Sequence, residues 1–203
     1  MKQQLFILAA AFCIVQTSES SMEKIITVHD KTFKVSIPHK KIKERIKELG
    51  AQITNDYKDA KKPPVLIGVL RGAYMFLSDL AKEIDLLCEI DFVQVSSYQD
   101  KMRSSGSIAL LQALKSDITD RDVIIVEDII DTGLSIQYVR DMLANKNPRS
   151  IRIATLLDKQ LSNVQFPVDY IAFHIPPEFV IGYGLDYNQQ GRNLKDIYSL
   201  VSA

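Results

Sequence analysis

The chain has 203 residues, of which 46% are hydrophobic and 25% are charged, a size and composition typical of one globular domain. Its formal net charge is zero, so it lacks the overall basic field of proteins that bind nucleic acid or anionic membranes. The sequence shows no repeat, low-complexity tract or internal Pro/Gly linker. We therefore expect no second domain, no nucleic-acid partner and no membrane partner.

Residues 1–21 differ in character from the rest of the chain. Lys2 precedes an apolar run, Leu5–Val15, and a polar stretch, which is the pattern of a signal peptide without a clear A-x-A cleavage site. The run is too short to span a bilayer. The alternative is a mis-annotated start with translation from Met22, which we favour because the substrate inferred below is an intracellular metabolite. The domain would then comprise residues 22–203 in the cytoplasm, whereas a true signal peptide would mean export.

The first elements are predicted from the spacing of apolar residues. Ile25–Val28 and Phe33–Ile37 suggest a hairpin, and an apolar face at helical spacing predicts a helix from Pro38 to about Tyr57. That face comprises Ile42, Ile46, Leu49 and Ile53. Val65–Val69 then begins the core sheet.

A turn containing Arg71 and Gly72 follows this strand and precedes a second amphipathic helix. An Arg beside a Gly can offer a guanidinium group and close backbone donors to a diphosphate. An ordinary glycine turn fits the same residues, so the turn alone does not decide between the two.

The next strand is predicted over Cys88–Ser97. Its expected core residues are Ile90, Phe92 and Val95. A polar stretch, residues 98–107, follows before Ile108–Leu114 returns to β structure. A polar hairpin tip of this kind is usually a surface loop.

The most informative stretch is Val123–Ser135, V-I-I-V-E-D-I-I-D-T-G-L-S. Its first four residues are apolar without alternation, as expected of a central parallel strand covered on both faces. Three acids, Glu127, Asp128 and Asp131, follow at the carboxyl end of this strand. Open α/β sheets bind their ligands at that end, so the stretch indicates a ligand site.

The residues that follow lead into a predicted helix and are Thr132, Gly133, Leu134 and Ser135. A turn entering a helix has free N–H groups that can bind a phosphate. The acids before it would repel phosphate and instead suit vicinal hydroxyls or a proton in transit. A ligand with a phosphate and a neighbouring diol is a ribose 5-phosphate. The alternative is an acidic turn that only caps the helix through Ser135 or Asp131.

Two further strands are predicted in the last third of the chain. Ile151–Leu157 ends in Asp158 and Lys159, and this lysine either contacts a ligand or pairs with a neighbouring acid. Asp169–Ile175 follows. Beyond it, Phe179 has a flat face that either stacks on a ligand or packs in the core.

The stretch Glu127–Gly133, E-D-I-I-D-T-G, resembles the phosphoribosyl-diphosphate loop of the type I phosphoribosyltransferases, and the surrounding chain resembles their hypoxanthine-guanine (6-oxopurine) branch. It is not a Walker loop or a dinucleotide fingerprint, since Gly133 stands alone. The resemblance covers nearly all of Met22–Ala203. In family order its motifs are Leu70-Arg71-Gly72, Ser97-Tyr98, Glu127–Ser135, Lys159, Phe179–Asp186 and Arg192. It implies an α/β fold with a mostly parallel central sheet flanked by helices, a small hood, and a flexible lid loop starting at Ser97 and Tyr98.

The implied reaction transfers the 5-phosphoribosyl group from 5-phospho-α-D-ribosyl 1-diphosphate to N9 of hypoxanthine or guanine, giving IMP or GMP and diphosphate. By this resemblance, the residues from Asp131 through Ser135 bind the 5-phosphate. Glu127 and Asp128 bind the ribose hydroxyls. Asp131 is also the expected general acid/base at N7 of the purine.

The resemblance also implies how the leaving group is held. Arg71, Gly72 and Arg192 are expected to face the diphosphate, with a non-proline cis peptide bond between Leu70 and Arg71. Mg²⁺ is the expected cofactor, because carboxylate oxygens are its preferred protein ligands. The expected metal ligands are Glu127, Asp128 and Asp186.

For the base, the resemblance implies that Lys159 donates a hydrogen bond to the exocyclic oxygen of the purine and that Phe179 stacks on its ring. The backbone of Val180 is expected to read the edge of the base, and the backbone near Asp186 its 2-amino group. A homodimer or homotetramer is the expected assembly.

Two other classes of protein share the central loop. A transcription regulator with this fold would need DNA-binding equipment, such as an added helix-turn-helix, and nothing in the sequence supplies it. A phosphoribosyltransferase for adenine or orotate would keep the loop too, but Lys159 and Phe179–Asp186 argue against it.

Overall fold

The computed structural model describes residues 24–97, 108–160 and 166–201. In chain order, its elements are β1 (Ile25–Val28), β2 (Lys31–Ile37), α1 (His39–Tyr57), β3 (Val65–Leu70), α2 (Tyr74–Glu83), β4 (Glu89–Ser97), β5 (Ile108–Gln112), β6 (Asp122–Ile130), α3 (Leu134–Ala144), β7 (Ser150–Asp158), β8 (Tyr170–His174), β9 (Val180–Ile181) and β10 (Ile197–Leu200). The leader expected at residues 1–21 and the lid expected from Tyr98 lie outside the described residues. Ser97, the other expected lid residue, ends β4.

The main sheet has six strands in the order β5-β4-β3-β6-β7-β8. Neighbouring strands are parallel except β5, which runs antiparallel to β4. Because the carboxyl ends of parallel strands meet at one edge, the turns after β3, β6 and β7 lie side by side there. The expected mostly parallel sheet is confirmed.

Helices cover both faces of this sheet, which explains the unbroken apolar run in β6. Ile124 and Val126 point to the face that packs against α1 and α2, whereas Val123 and Ile125 point to the face that packs against α3. Alternate residues of one strand therefore enter two different halves of the core. Within the described ranges, no helix is long and apolar enough to cross a bilayer.

A second, smaller sheet has four antiparallel strands in the order β1-β2-β10-β9 and corresponds to the expected hood. Asp196, just before β10, fastens this sheet to α1. Its carboxylate accepts from the backbone N–H of His39 at 2.8 Å and pairs with Nζ of Lys24 at 2.7 Å. The strands β9 and β10 were not predicted, because the first has two residues and the second, I-Y-S-L, shows no alternation of apolar and polar side chains.

Two details differ from the sequence prediction. Strand β6 continues to Ile130, because its backbone pairing with β7 extends that far, so Glu127 and Asp128 belong to the strand itself. Ile90 is 47% exposed rather than buried. Its part of β4 lies at the open edge of the sheet, since β5 pairs only with Gln94–Ser97.

Candidate active site

A cavity of about 230 Å³ lies at the carboxyl end of β6 and is lined by the consecutive residues Glu127–Ile136. Gly133 is the N-cap of α3, and no side chain of the described residues caps this helix end. The alternative in which Asp131 or Ser135 only caps the helix is therefore wrong. The N-terminus of α3 keeps the uncapped N–H groups that suit an anion such as phosphate.

Glu127 and Asp128 form a buried acid pair in the wall of this cavity. Glu127 is 8% exposed, and its Oε2 has no hydrogen-bond partner among the described residues. Burial raises the pKa of Glu127, and the charge of Asp128 raises it further. Burial also raises the pKa of Asp128. Such a pair is most stable when it holds a proton or when a cation neutralises it.

The donor set of this acid pair fits a divalent cation, because an oxygen without a partner and a costly negative charge are both satisfied by metal binding. The third expected ligand, Asp186, belongs to a different segment, which follows β9. In the part of the chain that the structure describes, no group of three or more His, Cys, Asp or Glu side chains is arranged to hold a metal ion.

Three turns from distant parts of the sequence meet beside the acid pair. A Cβ atom at Gly72 would lie 1.5 Å from Oδ2 of Asp128, so any side chain at position 72 would displace this carboxylate. Gly184, at φ 104°, also approaches Gly72 closely: a Cβ atom there would lie 2.1 Å from the Gly72 carbonyl oxygen. The peptide bond between Leu70 and Arg71 is cis, as the resemblance implied.

Lys159 follows β7 and lies next to the turn after β6. Its Nζ donates to Oδ2 of Asp131 at 2.9 Å, with 12% of the Lys159 side chain and 51% of the Asp131 side chain exposed. Its backbone N–H donates to the carbonyl oxygen of Ile130 at 3.1 Å. The lysine therefore does pair with a neighbouring acid, and this acid is the expected general acid/base. A ligand entering here meets a hydrogen-bond donor and an acceptor side by side.

Both arginines expected at the diphosphate contact the segment that follows β9. Arg192 donates to the Gly184 carbonyl oxygen at 2.8 Å, and its Nη2 pairs with Oδ1 of Asp186 at 2.5 Å. Arg71 donates from Nη1 to Oε1 of Gln189 at 3.3 Å. The carboxylate of Asp186 thus pairs with Arg192.

The expected base-binding residues Phe179 and Val180 lie on the hood. Phe179 is 43% exposed, and its ring centroid is 5.7 Å from that of Tyr187 and 6.2 Å from that of Phe33. Core packing accounts for part of this ring, and the remainder is open to solvent. Val180 is buried in β9, which pairs with β10.

Two residues near the site were missed from the sequence. Gln189 accepts a hydrogen bond from Arg71, and no spacing pattern could have indicated it. Tyr183 donates from its hydroxyl to Oδ2 of Asp79 at 2.5 Å. Its only sequence signal is the pair of glycines, Gly182 and Gly184, on either side of it.

The family model for the phosphoribosyl transferase domain matches residues 37–188. The chain therefore belongs to the phosphoribosyltransferase family. Within it, the chain is 46% identical over 171 residues to hypoxanthine phosphoribosyltransferase of Escherichia coli K12, covering 84% of this chain and 96% of that one. It is 48% identical over 162 residues to hypoxanthine-guanine phosphoribosyltransferase of Streptococcus pneumoniae R6, covering 79% and 89% of the two chains.

Solved structures agree with this placement. The crystal structure of a hypoxanthine phosphoribosyltransferase from Staphylococcus aureus superimposes with a TM-score of 0.76 at 42% sequence identity. The match covers 82% of this chain and 90% of that chain. The similarity therefore extends over both the main sheet and the central loop.

Proposed function

We propose that the protein transfers the 5-phosphoribosyl group from 5-phospho-α-D-ribosyl 1-diphosphate to N9 of hypoxanthine or guanine, giving IMP or GMP and diphosphate in purine salvage. The observation that carries this proposal is the meeting of three turns at one sheet edge, with Asp128 against Gly72 and Gly72 against Gly184. An acid pair, an uncapped helix end and two arginines then surround one site. The family and its named relatives support the same reaction.

Each part of the activated sugar has a complementary group in this site. The turn Asp131–Ser135 and the N-terminus of α3 bind the 5-phosphate through backbone N–H groups. Glu127 and Asp128 accept hydrogen bonds from the ribose hydroxyls. The guanidinium groups of Arg71 and Arg192 balance the charge of the diphosphate.

The chemical step breaks the bond between C1 and the diphosphate oxygen and forms the bond between C1 and N9. As diphosphate leaves, C1 gains oxocarbenium character, which the negative field of the acid pair stabilises. Asp131 takes the proton that N7 of the purine gives up. Bound Mg²⁺, held by Glu127 and Asp128 with Asp186 as a further ligand, would supply positive charge to the leaving diphosphate.

Lys159 is the residue that we propose selects the base. A 6-oxopurine presents an acceptor oxygen where adenine presents an amino donor, and a lysine ammonium is only a donor. With adenine bound, two donors would face each other in a largely buried position. Sites built on such a hydrogen bond reject the mismatched ligand by as much as ~10⁴-fold.

Substitution Lys159→Ala is expected to lower kcat/KM for hypoxanthine and guanine by roughly 10- to 100-fold, the effect of losing a hydrogen bond from a charged donor. Adenine never gains that bond, so its kcat/KM should fall less and the gap between the bases should narrow. Steady-state kinetics with hypoxanthine, guanine and adenine, in wild type and variant, measure this effect.

Lys62→Ala provides a matched control. Lys62 also pairs with an aspartate, Asp120, at 3.2 Å, but it precedes β3 and lies at the opposite edge of the sheet. Its removal should leave the preference among bases unchanged. If adenine is a good substrate of the wild type, or if Lys159→Ala keeps the original preference, Lys159 does not select the base. Efficient use of adenine or orotate would favour the competing phosphoribosyltransferase classes.

We further propose that the protein acts in the cytoplasm as a homodimer or homotetramer, with residues 22–203 as the catalytic domain. The support is the chemistry of the substrates, which are intracellular metabolites, and the family model, which begins at residue 37. Amino-terminal sequencing of the native protein from fractionated cells should find Met22 as the first residue in the cytosolic fraction. A mature protein cleaved and recovered outside the cell would contradict this. Light scattering of the purified protein gives the number of subunits.

A further inference from the structure

Tyr183 connects the segment that follows β9 to helix α2. It is 2% exposed and has φ 48°, between Gly182 at φ 98° and Gly184 at φ 104°. Glycine adopts positive φ without steric cost, but Tyr183 does not, so its conformation persists only where surrounding contacts fix it. The hydroxyl of Tyr183 donates a hydrogen bond to Oδ2 of Asp79 at 2.5 Å, on a different segment of the chain.

Asp79 lies on α2, the helix that begins directly after the Arg71–Gly72 turn. This turn and the segment around Tyr183 already touch through the backbone, because a Cβ atom at Gly184 would lie 2.1 Å from the Gly72 carbonyl oxygen. A single backbone contact leaves the two segments free to rotate relative to each other. The hydrogen bond from Tyr183 to Asp79 is a second contact, and two contacts fix the orientation of α2 relative to the segment around Tyr183.

The protonation states of both partners favour the hydrogen bond between Tyr183 and Asp79. Burial raises the pKa of Tyr183, and the hydrogen bond to Asp79 raises it further, so the phenol remains a donor. Burial raises the pKa of Asp79, but hydrogen bonds from Lys82 and Tyr183 outweigh it and lower the pKa, so the carboxylate remains an acceptor. Lys82 pairs with Oδ1 of Asp79 at 2.5 Å, which leaves Oδ2 to Tyr183. The ring of His39 packs beside Tyr183 with a centroid distance of 6.1 Å.

We propose that Tyr183 is a positioning residue for diphosphate, whose hydrogen bond to Asp79 holds the Arg71–Gly72 turn in register with the Gly184–Asp186 segment. This inference rests on the proposed function, since it assigns the diphosphate part of the substrate to that turn. Arg71 belongs to the first of these segments, and Arg192 donates a hydrogen bond to the Gly184 carbonyl oxygen of the second. Without the hydrogen bond, diphosphate must order both segments as it binds.

Substitution Tyr183→Phe removes only the hydroxyl and keeps the buried ring. We expect KM for 5-phospho-α-D-ribosyl 1-diphosphate to rise roughly tenfold, and Kd for inorganic diphosphate with Mg²⁺ to rise by a similar factor. Once the substrate is bound, the segments are ordered, so kcat and KM for hypoxanthine at saturating sugar phosphate should change less than about threefold. Calorimetry measures diphosphate binding independently of turnover.

Tyr170→Phe is the matched control. Tyr170 is equally buried and donates to a carboxylate, Asp56, at 2.8 Å, but it starts β8 and contacts the end of α1. Its loss should lower the melting temperature while leaving the diphosphate Kd at the wild-type value. A role of Tyr183 in stability alone would make the two variants alike in diphosphate binding and would overturn the proposal.

Asp79→Asn tests the same contact from the other side and replaces Tyr183→Phe if that variant does not fold. The neutral amide keeps an acceptor oxygen, so we expect a smaller rise in diphosphate Kd, about threefold. The double variant should bind diphosphate no more weakly than Tyr183→Phe alone, since both changes remove one contact. Additive effects, or wild-type Kd in Tyr183→Phe, would refute the inference.

A wild type that binds diphosphate but transfers no phosphoribosyl group would refute the proposed function instead. The comparison of diphosphate Kd between the variants would still decide the role of Tyr183.

Discussion

Substitution Asp131→Asn is expected to leave the fold intact and to lower kcat by about 10²–10⁴-fold, the usual contribution of a general acid or base. Asparagine keeps the shape of the side chain and an acceptor oxygen, but it cannot take up the proton from N7. Asp131 is half exposed, with Lys159 as its partner at 2.9 Å, so removing its charge should cost little stability. Single-turnover and steady-state kinetics with hypoxanthine measure the loss, and circular dichroism with thermal melting checks the fold.

Asp141→Asn is a suitable control for this variant. Asp141 is on α3, is 57% exposed and also has a basic neighbour, Arg140, at 3.6 Å. It lies outside the cavity lining, so its kcat should match the wild type. A kcat close to the wild type in Asp131→Asn would remove Asp131 from the proton transfer, and N7 would then have to lose its proton to water.

Removal of divalent metal is expected to abolish activity, and addition of Mg²⁺ is expected to restore it. The chain has a formal net charge of zero and cannot by itself balance a polyphosphate next to two acids. The acid pair is buried, and Oε2 of Glu127 has no partner among the described residues. A bound cation would therefore stabilise this pair by neutralising its charge and by coordinating this oxygen. Full turnover in excess chelator would contradict the metal role of Glu127 and Asp128.

Thermal melting gives a second measurement that does not depend on activity. Mg²⁺ should raise the melting temperature of the wild type, because it binds only the folded protein. Glu127→Gln removes the costly buried charge, so this variant should melt higher than the wild type without metal. A gain of about 1 kcal/mol corresponds to roughly 2–4 °C at this chain length. The variant should also lose most of the response to Mg²⁺. An unchanged response would show that the ion binds elsewhere.

Much of the architecture could be predicted because it rests on local patterns. The unbroken apolar run of β6 indicated a strand covered on both faces, and the structure has α1 and α2 on one side and α3 on the other. The helix predicted after the loop is present as α3, and its buried residues Ile136, Val139 and Leu143 repeat with the helical period. The position of the acids Glu127 and Asp128 at the ligand edge of the sheet could also be predicted locally, whereas their assignment to ribose hydroxyls stays a prediction.

The sequence could not show which distant residues touch. For Lys159, a ligand contact and an acid partner were separate alternatives. The structure shows the acid partner, Asp131, and a ligand that binds beside Asp131 could also contact the lysine. The contact between Tyr183 and Asp79 has no local period at all, because it joins a helix to a loop far along the chain. Strand β10 is defined by its partners β2 and β9 rather than by its own four residues.

The close approach of Gly72 to Asp128 limits how this enzyme can change over evolutionary time. Any side chain at position 72 would displace the carboxylate of Asp128, and under the proposed function a shorter residue at 128 would lose its contact with the ribose. Neither position can be substituted first without loss, so the sugar-binding half of the site is closed to gradual drift. Lys159 and Phe179, the proposed base-binding residues, lie on other segments and face no such barrier. Under the proposed function, new base preferences are therefore accessible by single mutations, whereas a new sugar donor is not.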